Sequence, residues 1–263
     1  MAVLNVTPDS FSDGGKYYSK RRAIARAVEM AAEGADIIDV GGESTRPGAR
    51  DISADEESAR ILPVIEALSK RLKIPISVDT RKAKVAEGAL RAGARIVNDV
   101  SGLRYDPGMA KVAAKYGATV IVMHMKGTPR DMQKSPRYGD LIQEIKSGLR
   151  GSIKLARKAG IKDGKIIVDP GIGFGKTVAH NLQILNRLGE FKDLGMPVCV
   201  GTSRKSFIGR ILDIPDSGGR LAGTMATCAV AIIRGADILR VHDVREAVQA
   251  AVITDSIMSS GAN

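Results

Sequence analysis

The chain has 263 residues, a formal net charge of +11 and an apolar content of 44%, while aromatic residues make up only 3%. This length accommodates one large α/β barrel or two ordinary domains. Cys199 and Cys228 are too few for a disulfide framework or a zinc site, and both lie in apolar runs, which indicates core residues. Because no run approaches the about 20 apolar residues of a membrane span, and no leader precedes the first strand, we expect a cytoplasmic protein without a membrane partner.

The positive charge is compatible with an anionic small molecule, a membrane surface or nucleic acid. The Lys and Arg residues are spread along predicted helices, as in 19–22 and 154–158, with no aromatic residues interleaved for stacking on bases. We therefore expect no nucleic-acid partner. A solvated basic face explains the charge most simply, and its field would also favour a substrate that carries phosphate.

Short apolar strands alternate with longer amphipathic helices along the whole chain. Ala-rich helical segments such as 21–35 and 57–72 separate strands that are predicted at 2–6, 36–40, 74–79, 95–99, 119–124, 165–170, 196–201 and 237–242. Eight such units predict a single α/β domain over 1–263 with the fold of a TIM (β/α)8 barrel. An open, doubly wound sheet is the alternative. The first strand begins at residue 2, so nothing N-terminal to it is expected to plug the bottom of the barrel.

Polar or charged residues stand at the end of every predicted strand. They are Asn5, the segment 41–46, Asp79, Asn98 with Asp99, His124, Asp169, the segment 201–205, and Arg240 with His242. In a barrel these positions meet at the carboxyl-terminal rim, where barrel enzymes have their active sites. Capping would explain any one of them, but the whole set predicts a functional site.

Three of these residues are hydrogen-bond acceptors at the ends of buried strands. Asp79, Asn98 and Asp169 together predict a slot for a flat heterocycle that carries several N–H donors, although capping would also explain each Asp. The segment 170–177 is not a phosphate-binding P-loop, because only three residues separate Gly171 from Gly175. Its glycines would let the backbone approach a flat ligand, with Phe174 as a wall.

The cationic residues of the rim predict an anion site. Lys205 lies where a strand end opens a helix, and the sequence also offers Arg46, Arg240 and His242 for a phosphate or diphosphate. No nucleophilic triad or zinc spacing is present. A magnesium ion (Mg2+), held by one protein ligand and the substrate phosphates, would leave only such a faint trace in the sequence.

The motifs LNVTPDSFSDGG, DVGGESTRPGA, SVDT, NDVSG, MHMKGTP, DPGIGFGK, GTSRKSF and RVHDV resemble, in order and spacing, those of the dihydropteroate synthases. The resemblance covers nearly the whole chain. It implies a homodimeric TIM-barrel transferase of folate biosynthesis that joins 6-hydroxymethyl-7,8-dihydropterin diphosphate to para-aminobenzoate and is a target of sulfonamides. Bacterial relatives usually carry a segment before the first strand, so the barrel bottom or the stability of this chain is expected to differ.

The resemblance also implies a role for each motif residue. Pterin binding falls to Asp79, Asn98, Met123, Asp169, Phe174 and Lys205, and diphosphate binding to Asn5, Arg46, Arg240 and His242. Aminobenzoate binding falls to Thr45, Pro47, Phe174, Lys205 and Ser206, and Asn5 is the implied ligand of Mg2+. The implied catalytic residues are Asp13, Asp79, Lys205, Arg240 and His242, with Asp13 next to a developing cation on a first loop that closes over the diphosphate.

Other functions on this scaffold stay open at this point. A pterin-binding methyltransferase would share the Asp79, Asn98 and Asp169 slot but would have no use for the first loop or the anion set. A barrel isomerase or aldolase of sugar phosphates would need the anion site without the slot. A non-catalytic pterin binder, or a protein associated with nucleic acid, would be marked by a broken motif, and none of the eight is broken.

Overall fold

The computed structural model describes residues 1–7, 20–44, 51–128 and 131–260. The predicted site residues Asp13, Thr45, Arg46 and Pro47 lie outside these ranges, so their assignments stay predictions. All the predicted strands are present, although the last two are shorter than expected. They are β1 (Ala2–Asn5), β2 (Ile38–Gly41), β3 (Ile76–Asp79), β4 (Ile96–Asp99), β5 (Thr119–Met123), β6 (Ile166–Asp169), β7 (Cys199–Val200) and β8 (Ile238–Leu239).

The strands are parallel and close into a barrel. Strands β1 to β6 form one sheet in chain order, and β7 and β8 form a second sheet of two strands. A bridge between Val168 and Val198 joins β6 to β7, and a bridge between Ala2 and Val241 joins the end of β8 to β1. These two seams complete the circle, so the open-sheet alternative is wrong.

Helices cover the outside of the barrel, and the side chains of Ser53, Asp140 and Thr177 cap the first turns of three of them. In the described ranges they are α1 (Lys20–Ala32), α2 (Ala54–Ser69), α3 (Ala83–Arg91), α4 (Met109–Lys115), α5 (Leu141–Lys158), α6 (Val178–Asn186), α7 (Ser206–Leu212), α8 (Leu221–Ile233) and α9 (Val244–Ser260). Thr177 and His180 form a reciprocal capping box at the start of α6, which gives His180 a structural role. None of these helices combines the length and apolar content that crossing a membrane requires.

The barrel interior is filled in layers. Its lower layer contains Ile96, Ile121, Ile167 and Cys199, and the Met1 side chain packs against the same cluster. The first residue therefore helps to fill the end of the barrel for which the sequence predicted no N-terminal plug. Since alternate residues of a strand face the same side, the side chains two positions further along each strand form the next layer up, at the carboxyl-terminal rim.

Candidate active site

The upper layer of the barrel interior is polar. In register, Asn5 lies beside Gly41, Gly41 beside Asp79, Asp79 beside Asn98, and Met123 beside Asp169. The predicted acceptors on β3, β4 and β6 thus lie in one layer at the mouth of the barrel. All of the acidic and amide members of this set come from the six-stranded sheet, whereas Lys205, Arg240 and His242 follow β7 and β8.

Arg240 connects the two groups at the β8–β1 side. Its guanidinium Nε lies 2.7 Å from Asp39 Oδ2, and its Nη2 lies 2.6 Å from Asp79 Oδ2. Asn98 Nδ2 donates to the same Asp39 oxygen at 3.1 Å. Two carboxylates on neighbouring strands therefore fix the orientation of the guanidinium, and its assignment to the diphosphate stays a prediction.

Asp39 is a site residue that sequence reasoning missed. It lies within β2 and is fully buried, whereas the predicted site residues lie at or after strand ends. Its Oδ1 and the hydroxyl of Ser77, its register partner on β3, are buried and have no hydrogen-bond partner in the described part of the chain. An aspartate in the middle of an apolar strand is the signal that would have revealed it, because such a charge needs a partner inside the barrel.

Burial shifts the pKa values of the two acidic acceptors, Asp79 and Asp169. It raises the pKa of Asp79, and the neighbouring Arg240 opposes that rise only in part. Burial also raises the pKa of Asp169, against the effect of a hydrogen bond of 2.6 Å from the Gly171 amide to Asp169 Oδ1. Carboxylates with raised pKa values in a concave rim are typical of functional sites.

Lys205 and Phe174 meet across the β6–β7 side. The ammonium group of Lys205 lies 4.2 Å from the centre of the Phe174 ring, a cation–π contact. Met123 is buried at the end of β5, where its Cγ would lie 3.2 Å from a Cβ at Gly171. Asp169, Met123, Phe174 and Lys205 therefore lie around one space, as predicted for a slot that holds a flat ring.

The segment after β7 is tied to the segment after β8. Ser203 Oγ lies 3.0 Å from His242 Nδ1, and the guanidinium of Arg204 pairs with the Asp243 carboxylate through Nε at 3.0 Å. Arg204 has a φ of 57°, so this pair holds a strained turn directly before Lys205. Ser206 is exposed as the first residue of α7, in a position open to a ligand carboxylate.

One expectation about the rim is wrong. His124 does not face the barrel mouth: its ring packs on α5, where a Cβ at Gly148 would lie 2.7 Å from its Cδ2, because it directly follows the inward-facing Met123. The glycines of 170–177 also have a role within the protein, while their close approach to a flat ligand stays a prediction. At Gly171 a Cβ would lie 2.0 Å from His124 O, and at Gly175 it would lie 2.4 Å from Lys126 O. The backbone that follows β5 therefore requires glycine at both positions.

The residues at the rim fit a single-ligand magnesium site. A Cβ at Gly41 would lie 3.6 Å from Asn5 Oδ1 and 3.8 Å from Asp79 Oδ2, so this glycine leaves a space beside the amide oxygen. Amide oxygens are hard ligands that suit Mg2+. No group of three or more His, Cys, Asp or Glu side chains with metal-binding geometry exists within the described ranges. Most ligands of such an ion would thus have to come from substrate and water.

The geometry agrees with the relatives of the chain. The sequence profile of the pterin binding enzyme family matches residues 1–242. The dihydropteroate synthase of Synechocystis sp. is 51% identical over 257 residues, which cover 98% of this chain and 89% of that protein. The chain belongs to the dihydropteroate synthase family of pterin-binding enzymes.

Solved dihydropteroate synthases share its fold. The Yersinia pestis enzyme with a sulfonamide drug complex has a TM-score of 0.96 at 46% identity, covering 98% of this chain and 94% of that one. The Clostridium difficile enzyme in the presence of pteroic acid has a TM-score of 0.90 at 50% identity, with coverages of 98% and 95%. The TIM barrel and the family resemblance predicted from the sequence are therefore confirmed.

Proposed function

We propose that the chain condenses 6-hydroxymethyl-7,8-dihydropterin diphosphate with para-aminobenzoate, which gives 7,8-dihydropteroate and pyrophosphate. The observation that carries the proposal is the barrel mouth, where buried acceptors for a flat ring face cationic side chains for a diphosphate. Membership of the dihydropteroate synthases and the pteroic acid used with the Clostridium difficile enzyme support this choice of substrates.

The pterin ring would lie in the space bounded by Met123, Phe174 and Lys205. Its ring N–H and amino groups would donate to Asp79, Asn98 and Asp169, all of which point into the barrel mouth. These acceptors are held by neighbouring side chains and backbone, so little reorganisation is needed when the substrate binds. The pterin assignments rest on this placement and on the family resemblance.

The proposed reaction is a dissociative substitution. The C–O bond to the diphosphate breaks first, and its electron pair leaves with pyrophosphate. The resulting cationic pterin methylene forms a new C–N bond with the arylamine, which then loses a proton. Arg240 and His242 would stabilise the leaving group, while the carboxylates of the slot, together with Asp13 outside the described ranges, would stabilise the cation. Such a reaction needs no covalent nucleophile.

The arylamine would bind next to Phe174 and Lys205, with its carboxylate at Ser206. Thr45 and Pro47 would complete this subsite from outside the described ranges. The sulfonamide complex of the Yersinia pestis enzyme supports the proposal that sulfonamides compete with para-aminobenzoate here.

A bound Mg2+ would supply positive charge to the diphosphate as it leaves. Asn5 would be its protein ligand, since its amide oxygen borders the space that Gly41 leaves open. The cationic side chains of the rim would bind the same diphosphate. The metal site itself would need no cluster of acidic protein ligands. The requirement for magnesium is part of the proposal.

A homodimer formed through the late helices is also part of the proposal. Helices α8 and α9 pack together and expose large apolar side chains, among them Val230, Ile233, Ile253 and Ile257, which are 43%, 58%, 62% and 67% exposed. Isolated exposed apolar residues are normal, but a concentration on adjacent helices is typical of an interface. A second copy of the chain is the occupant that the family resemblance favours.

The deciding experiment measures pyrophosphate release from dihydropterin diphosphate, Mg2+ and para-aminobenzoate, with the arylamine omitted in a control. Release that depends on the arylamine, with dihydropteroate as the product, is the expected result. Tight pterin binding without release would instead favour a non-catalytic pterin binder. The methyltransferase alternative would be supported by methyl transfer from a pterin cofactor and no use of the diphosphate.

A further inference from the structure

The side chain of Lys176 joins two segments of the rim from below. It is only 2% exposed, and its Nζ lies 2.9 Å from Phe174 O and 3.3 Å from His124 O. A third contact, of 3.2 Å, joins Nζ to His124 Nδ1. One amine thus connects the end of β5 with the loop that follows β6.

The loop after β6 is held at nearly every residue. Gly173 N donates to Asn181 Oδ1 at 2.8 Å, and Gly173 O accepts from Gln133 Nε2 at 2.5 Å. The Tyr138 hydroxyl donates to Gly175 O at 2.8 Å. Among these contacts, Lys176 is the one that reaches across to the backbone of β5. The two segments are also joined by the pairing of β5 with β6, where His124 N donates to Asp169 O at 2.9 Å, and Lys176 adds a second connection, from His124 O to Phe174 O.

The two segments carry the side chains proposed to enclose the pterin ring. Met123 immediately precedes His124, whose carbonyl Lys176 contacts, and Phe174 supplies the second carbonyl itself. We propose that Lys176 is a positioning residue, which sets the spacing between Met123 and Phe174 and so determines the affinity for the pterin ring. This inference rests on the proposed function, because it assumes that a pterin occupies that space.

Burying a lysine at this position costs free energy, which is consistent with a specific role for its amine. Its amine is removed from water into the protein interior, where an unpaired polar group costs a large free energy. Hydrogen bonds to two carbonyls offset only part of this desolvation cost. The pKa of Lys176 is lowered to about 7, chiefly by burial; the charge of Asp169 opposes this fall and that of Lys205 adds to it. An apolar residue of similar length would pack here without that cost but would not hold the two carbonyls.

The experiment compares Lys176→Met with Lys146→Met. Lys146 is also buried, but it lies on α5 and pairs with Asp193 at 2.6 Å, away from the rim loops. Pteroic acid affinity, the KM for dihydropterin diphosphate and the melting temperature are measured for both. We expect Lys176→Met to weaken pteroic acid binding and raise the KM by on the order of ten- to a hundredfold. Lys146→Met is expected to lose stability with less than a twofold change in either value.

Two further measurements separate positioning from general stability. Hydrogen exchange of a peptide over 170–177 should be faster in Lys176→Met than in Lys146→Met, without any ligand. Tyr138→Phe removes one hydroxyl that holds the same loop, so it should raise the KM several-fold with little loss of melting temperature. This milder variant keeps the proposal testable if Lys176→Met does not fold.

The outcomes are distinguishable. Equal pteroic acid affinity in Lys176→Met and Lys146→Met, or unchanged exchange over 170–177, would overturn the positioning role. Failure of the unmodified enzyme to bind pteroic acid would contradict the proposed function itself. Faster exchange in Lys176→Met together with weaker pterin binding supports both.

Discussion

Asp169 offers the most direct test of the pterin slot at the scale of a residue. Asp169→Asn keeps an oxygen for the Gly171 amide but replaces the charged acceptor that would face the ring. We expect kcat/KM to fall by an amount that corresponds to a loss of about 2–4 kcal/mol in transition-state stabilisation. This is the range for breaking a buried charged hydrogen bond. The matched control is Asp163→Asn, which changes an exposed aspartate paired with Arg157 and should leave kcat/KM intact. Unchanged kinetics in Asp169→Asn would remove this residue from the site.

Asn5 tests the metal. Chelation of Mg2+ should abolish turnover but leave pteroic acid binding nearly unchanged, because the ion is proposed to act on the diphosphate, which pteroic acid lacks. Asn5→Ala should raise the magnesium concentration needed for half-maximal activity. Asn5→Asp keeps a hard oxygen ligand, so its half-maximal magnesium concentration should lie between those of the wild type and Asn5→Ala. If chelation removes pteroic acid binding and turnover together, the metal is structural.

Lys176 makes stability depend on pH. Its pKa of about 7 in the folded protein lies below that of an unfolded lysine, so unfolding takes up a proton between about pH 7 and pH 10. The free energy of unfolding contributed by this group therefore rises with pH in that window, by up to about 1.4 kcal/mol per pH unit. Denaturant titrations of wild type and Lys176→Met across this range should diverge, with the variant showing the smaller slope. Parallel curves would show that the amine stays charged.

At the scale of an element, the loop after β6 depends on one backbone conformation. Gly171 has a φ of 74°, and a Cβ there would lie 2.0 Å from His124 O. Gly171→Ala should therefore cost more than about 2 kcal/mol of unfolding free energy, from strain and steric conflict together. Gly164→Ala, where a Cβ would have no atom within 4 Å, is the control. Denaturation midpoints of both variants are measured. Equal midpoints for Gly171→Ala and Gly164→Ala would contradict the prediction.

The elements were predictable because their signals are local. Short apolar runs between amphipathic helices located every strand, and the Asp and Asn at strand ends placed Asp79, Asn98 and Asp169 in one layer. The inward or outward direction of a single side chain was harder, since it depends on register: His124 follows an inward Met123 and so faces α5. Asp39 and Lys176 were missed because their partners, Arg240 and the His124 and Phe174 carbonyls, are distant in sequence or belong to the backbone.

At the scale of the whole molecule, the apolar surface of α8 and α9 predicts the oligomeric state. Ile253 and Ile257 are four residues apart on one face of α9, so Ile257→Glu would place a charge within the proposed interface. We expect this variant to sediment as a monomer where the wild type sediments as a dimer. Leu155→Glu, at an exposed apolar position of α5, should not change the sedimentation. A wild-type monomer would contradict the proposed dimer.

The cytoplasmic location and the lack of nucleic-acid and membrane partners stay predictions.

The two seams of the barrel give ligand binding a second effect. Each seam has a single bridge between strands, and among the described residues the site draws its acidic and amide groups from one sheet and its basic groups from the other. Separation of the sheets would therefore take the binding groups apart, and a substrate that contacts both would oppose that separation with its full binding free energy. Occupancy would then protect the chain against proteases that attack an opened barrel, so the concentration of the pterin substrate would help to set the lifetime of the enzyme.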